Sequence, residues 1–192
     1  MEEFQNPQTE PQNAEPVNKL NSAAVNGLKL AVISIVISLI ASFLPQSGTG
    51  FILSFIISLI KLGATVTFLW WAMKTFSTQN AAVEGFTTYG KVFSYGLLTS
   101  LFSGIVLAAY NFIYMKWIAP ETTESLKETT MAQLEQINGI DTSFIEMYMN
   151  NLEVWSAVGA LISAMFYGLI FSAILASSTK INPNPMHWQN NQ

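Results

Sequence analysis

The sequence predicts an all-α integral membrane protein with four transmembrane helices and a helical extracytoplasmic hairpin between the third and fourth. Three observations predict it. Only 10% of the 192 residues are charged and 51% are hydrophobic, where a soluble domain carries about 25% charged residues. Long stretches hold no charge at all: Leu30 to Ile60, broken only by the turn-like "PQSGTG" at 45–50, then Val92 to Met115 and Val154 to Thr179. Spanning the hydrocarbon core takes about 20 mostly apolar residues, and soluble core helices do not run this long without a polar face. Between the last two stretches lies an acidic segment of different character, residues 119–153.

The elements follow in order. Residues 1–24 read as a disordered tail, since Asn, Gln, Glu and Pro dominate without periodicity. Their acidic, polar opening is unlike the basic n-region of a signal peptide. The four-helix membrane domain covers 25–180, with spans at about 28–44, 51–73, 93–118 and 154–176. The second span contains Lys61. A central lysine costs about 2.5–3.5 kcal/mol on the insertion scale, and each Leu, Ile, Phe or Val returns about 0.3–0.6. Phe51 to Met73 holds twelve such residues, which return about 4–7 kcal/mol, so the span inserts with its lysine.

In the acidic outer segment, Leu126, Thr130, Leu134 and Ile137 share one helical face, with acids elsewhere. "NG" at 138–139 is a helix stop. Ser143 with Glu146 fits a capping box for a second helix that continues into the fourth span. Residues 181–192 form a polar tail.

Four spans put both termini on one side, and lysine chooses it. Lys19, Lys29, Lys74, Lys91 and Lys180 fall on the terminal side, while Lys116 and Lys127 fall on the other. By the positive-inside rule both termini are cytoplasmic. Trp70 and Trp71 at one edge, and Trp117 and Trp155 at the other, fit an aromatic belt.

Helices in lipid associate through small residues. The fourth span places Ser156, Ala160, Ala164, Gly168, Ser172 and Ala176 at every fourth position, and the third places Gly96, Ser100, Gly104 and Ala108 likewise. The stripes predict close antiparallel contact between these two spans. Ser54, Ser58, Lys61 and Thr65 share another face, and the first span offers Ser34, Ser38 and Ser42. The hydroxyl faces of spans one and two therefore meet, with Lys61 pointing into the bundle. No Asp or Glu lies in any span. Four states stand open to Lys61: a neutral amine, a wet cavity, an anionic ligand, or an acid from another subunit. An intramembrane ionisable residue is a candidate functional group. The competing reading is a lysine bonded to hydroxyls and carbonyls, or snorkelling along its own stem.

Other chemistry is excluded or unsupported. There is no cysteine, so no disulfide or thiolate site. The net charge of −4 and the absence of a basic stripe argue against nucleic acid. All eight basic residues are lysine, so no guanidinium clamp exists. No phosphate-loop or dinucleotide glycine motif occurs. His187, the only histidine, has no metal-ligand partner at useful spacing. The pair Glu124 and Glu128 reads as a solvated face. Asn111, between Tyr110 and Tyr114, bonds a neighbouring helix or lines a cavity shared with Lys61. No nucleophile–base or metal constellation marks an enzyme, and no cofactor is implied.

The block "VEGFTTYGKVFSYGLLTSLFSGIVLAAYNFIYMKWIAPE" (Val83 to Glu121) leads a Gly, aromatic and Thr-rich entry into span three and ends Tyr-rich before a proline. With the tight turn after span one, the "MAQLEQINGIDTSFIE" hinge and the small-residue last span, it resembles a bacterial family of four-span inner-membrane proteins of unknown function, found mainly in the Bacteroidota. The resemblance covers about residues 25–180 and implies a fold but no activity. Lys61 departs from that family's pattern, in which the stretch is uncharged.

The leading functional reading is a non-enzymatic membrane component that contacts a protein partner, or a second copy of itself, through the acidic outer hairpin. The alternative is a small transporter or carrier in which Lys61 binds an anionic group.

Overall fold

The computed structural model describes residues 17–43, 49–135 and 143–183. The chain runs α1 (Lys19–Ser42), α2 (Thr49–Glu84), α3 (Tyr89–Ile113), a π-helical turn (Tyr114–Ile118), α4 (Pro120–Glu135), α5 (Ser143–Asn150) and α6 (Leu152–Thr179). Among the described residues four helices are long and apolar enough to cross a membrane: α1, α2, α3 with its π turn, and α6. The "NG" at 138–139 and residues 1–16 and 184–192 lie outside the described residues. The Ser143–Glu146 capping pair falls among side chains that are not described.

Two helices are longer than the hydropathy suggests. The first starts at Lys19, inside the stretch that composition assigns to the tail, rather than near 28. Asn18 caps it, its side chain accepting from the Asn21 amide at 3.1 Å. Ala23, Gly27, Leu30 and Ala31 are buried, and packing of this kind holds turns that propensity alone would not. The second helix continues to Glu84 rather than stopping near 73. Gly85 ends it at φ +79, its amide donating to the Ala81 carbonyl at 2.8 Å, a conformation that suits glycine.

A polar knot closes this turn at the end of the bundle that carries the described termini. The Thr87 hydroxyl donates to the Ser77 carbonyl at 2.9 Å and accepts from Asn80 Nδ2 at 3.3 Å. The backbone of Thr87 pairs with that of Ile181 just beyond α6. Thr88 then caps α3, accepting from the Lys91 amide at 3.4 Å.

At the opposite end, α3 relaxes into its π turn, and the Ala119 amide donates to the Tyr114 carbonyl at 2.8 Å. Pro120 opens α4 at the position where a missing N–H costs nothing. Thr123 is buried and donates to the Met115 and Ala119 carbonyls at 3.1 and 3.2 Å, which holds α4 to the end of α3. Lys127 of α4 pairs with Glu153 of α6 at 3.6 Å. The helix expected to continue from Ser143 into the fourth span does not run on uninterrupted. Asn151 separates α5 from α6, at φ −121 and ψ 30, and its side-chain amide donates to the Met147 carbonyl at 3.0 Å. An Asn that bonds its own backbone competes with the helical ladder there.

α3 is the central helix, with α6 on one side and α1 on the other, and α2 packs across all three. The small stripes make the α3–α6 contact. A Cβ added at Gly104 would come within 2.8 Å of Ala164 Cβ, and one added at Gly96 or Gly168 would collide with Ser172 or Ser100. Ala108 and Ala160, further along, are only half-buried. The α1–α3 contact uses the same device one helix over. A Cβ at Gly27 would sit 2.6 Å from Phe102 Cβ and 2.7 Å from the Thr99 carbonyl oxygen. The sequence contains this signal, since Ala23, Gly27 and Ala31 are also spaced by four, but the first span as drawn from 28 leaves out most of it.

Candidate functional site: a polar cavity around Lys61

α2 is packed along only half its length. Leu69, Ala72, Met73, Phe76, Ser77 and Asn80 are buried, while every described side chain from Ile52 to Phe68 is exposed or half-buried. The packed half is held by the core cluster around Met73, Phe76 and Tyr95. Tyr95 is fully buried and lies flat on Phe76, ring centroids 4.1 Å apart and 5° from parallel. Its hydroxyl accepts from Asn26 Nδ2 at 2.7 Å and pairs with Ser22 Oγ at 3.1 Å. This node ties α1, α2 and α3 together, and nothing in the sequence sets Tyr95 apart from Tyr89 and Tyr110 on the same helix.

Beyond Leu69 the other half of α2 stands off the bundle and leaves a cavity of about 520 Å³, a size typical of small-ligand sites. Lys61, Ser58 and Thr65 of α2 and Ser34 and Ser38 of α1 line it. Ser54 stands outside it, exposed, and its carbonyl accepts from Ser58 Oγ at 2.9 Å. Lys61 Nζ donates to Ser38 Oγ at 2.8 Å. The direction of that side chain follows from helix geometry. A helical Cα–Cβ bond tilts towards the helix N-terminus, and α2 begins at the end of the bundle where α1 stops. Lys61 therefore rises towards Ser38, one turn short of the α1 terminus at Ser42.

The other wall comes from α3 and α6. Ser100, Ser103, Tyr110 and Asn111 face the cavity from α3, and Ser163 and Tyr167 from α6. Ser100 thus serves both the packing stripe and the cavity. Of the two roles open to Asn111 in the sequence, it takes the cavity-lining one, while Ser103, Ser163 and Tyr167 carry only the ordinary signal of hydroxyls at helical spacing. Leu30, Leu69 and Phe171 line it at the level of the packed half. Among the described residues its polar side chains are the Lys61 amine, the Asn111 amide and a set of hydroxyls, with no carboxylate. Such a set can neutralise and hydrogen-bond an anionic group. Among the described residues no cluster of His, Cys, Asp or Glu is placed to hold a metal ion.

Four apolar helices, small-residue interfaces and a cavity between them define a multi-pass membrane protein. The profile of the family described as "Protein of unknown function (DUF4199)" matches residues 26–180, and the chain belongs to that family. No curated protein and no solved structure matches the chain.

Proposed function

We propose that this protein binds a small molecule bearing an anionic group in the Lys61 cavity, as a carrier or binding protein of the bacterial inner membrane with both termini in the cytoplasm. The observation that carries this reading is one lysine, Lys61, with its Nζ on the wall of a cavity of about 520 Å³ whose other polar side chains come from four helices. A lysine held only for packing needs a hydroxyl partner and no space. This one has Ser38 and a volume beside it. Intramembrane charges of this kind line substrate paths in other bundles. The lysine bias between the two ends supports the orientation.

Native mass spectrometry of the full chain, purified in mild detergent as wild type and as Lys61→Leu, tests the proposal. The expected result is a small anionic ligand retained by wild type and lost from the variant. A wild-type protein that holds none, even when anions are supplied, overturns it. Co-purification of a protein retained equally by both forms would favour the partner-contacting reading, with the acidic face of α4 as the contact.

A further inference from the structure

The exposure of the cavity's own lining shows where it opens. Its lining residues on α1 and α3 are all buried or half-buried. Its exposed lining residues lie on two helices: Ser58, Leu59 and Leu62 of α2, and Ser163 and Tyr167 of α6. Leu59, Leu62 and Tyr167 are 52%, 40% and 53% exposed. The mouth is therefore a lateral gap between α2 and α6, with α1 and α3 as the closed back wall.

The depth of that gap sets what can reach it. Ser163 lies about 16 Å along α6 from Leu152, and Leu59 about 15 Å along α2 from Thr49, at 1.5 Å per residue. Both are far from either helix end, at a level that faces hydrocarbon in a bilayer about 30 Å thick in its core. Water-soluble ions are scarce there. The ammonium lies towards the α4 side of this gap, beside Ser38, and apolar Leu30 and Leu69 lie at the far end.

Resting on the proposed anion site, we infer that its ligand is a membrane-borne amphiphile with one anionic headgroup and a hydrocarbon chain, which enters sideways between α2 and α6. The headgroup pairs with Lys61 and the surrounding hydroxyls. The chain lies towards the packed half or out through the gap into lipid. This arrangement replaces a hydrated anion with one held by fixed donors while leaving the chain in an apolar setting. It also explains why exposed leucines, rather than further cations, border the mouth.

The test uses the full chain in phosphatidylcholine nanodiscs, incubated with laurate, dodecanol or acetate and read by native mass spectrometry. Wild type is expected to retain laurate saturably, and dodecanol and acetate about tenfold or more weakly, the loss of one charge-assisted hydrogen bond or of the chain. Lys61→Leu should bind laurate no better than dodecanol. Ser163→Trp, at an exposed position in the gap, should slow laurate uptake without lowering the melting temperature. If acetate binds as well as laurate and Ser163→Trp changes nothing, the ligand comes from water, so this inference falls while the Lys61 site stands. If neither anion binds wild type, both fall.

Discussion

Replacing Gly168 by Ala should loosen the α3–α6 interface, and Gly159 on the same helix provides the control. A Cβ at Gly168 would lie 2.7 Å from Ser100 Oγ and closer still to Ser100 Cβ. Carbon contacts are comfortable at about 3.5–4.0 Å. Ser100 Cβ is one bond from the α3 backbone and cannot rotate away, so the helices must separate. At Gly159 an added Cβ meets nothing within 4 Å. Both changes gain the same helix propensity, about 1 kcal/mol, so the difference between them isolates the clash. Overpacking of this kind costs about 1–3 kcal/mol, and each kcal/mol moves the midpoint by about 2–4 °C in a chain of this size. Thermal unfolding in mild detergent, followed by tryptophan fluorescence, should therefore place Gly168→Ala clearly below Gly159→Ala. Gly168→Leu should fall further. Leu169→Phe, at a position 52% exposed, should stay near wild type. Equal midpoints for the two alanine variants would refute the close-packing argument.

Other predictions concern the contacts between helices. Gly27→Ala should destabilise as Gly168→Ala does, because its Cβ would press on the Thr99 carbonyl at 2.7 Å, and the same melting assay reads it. Tyr95→Phe keeps the ring on Phe76 but leaves Asn26 without its acceptor, at a cost of about 1–3 kcal/mol. Adding Asn26→Leu should recover part of that loss. Glu153→Gln breaks the pair with Lys127 yet should lower stability by less than about 1 kcal/mol, or about 2–4 °C in the midpoint, since Lys127 keeps Glu124 at 3.3 Å as a partner. A reporter fused after Gln192 should be active in the cytoplasm, and periplasmic activity would reverse the topology.

Fold class, span number and the α3–α6 contact were legible in the chain itself. Long uncharged runs have one physical outcome, because backbone amides in hydrocarbon must bond within their own segment. Small residues at every fourth position have nearly one as well, because close approach is what holds helices together in lipid. The faces of Lys61, Ser34 and Ser38 were legible for the same reason, since helical spacing assigns residues to faces. Helix ends were less so. Lys19 to Gly27 is too polar to read as a span, and its helix rests on the Asn18 cap and on packing against α3. The cavity belongs wholly to the tertiary structure. It exists because α2 is pinned by Tyr95, Phe76 and Met73 along one half and stands away from its neighbours along the other. Local sequence does not say which half packs: the open half carries Lys61 among apolar residues, and the packed half turns polar from Lys74 onward yet buries Ser77 and Asn80. Composition determined that the chain crosses a membrane with a lysine inside it. That the lysine meets both Ser38 and an open space depended on where three other helices left room.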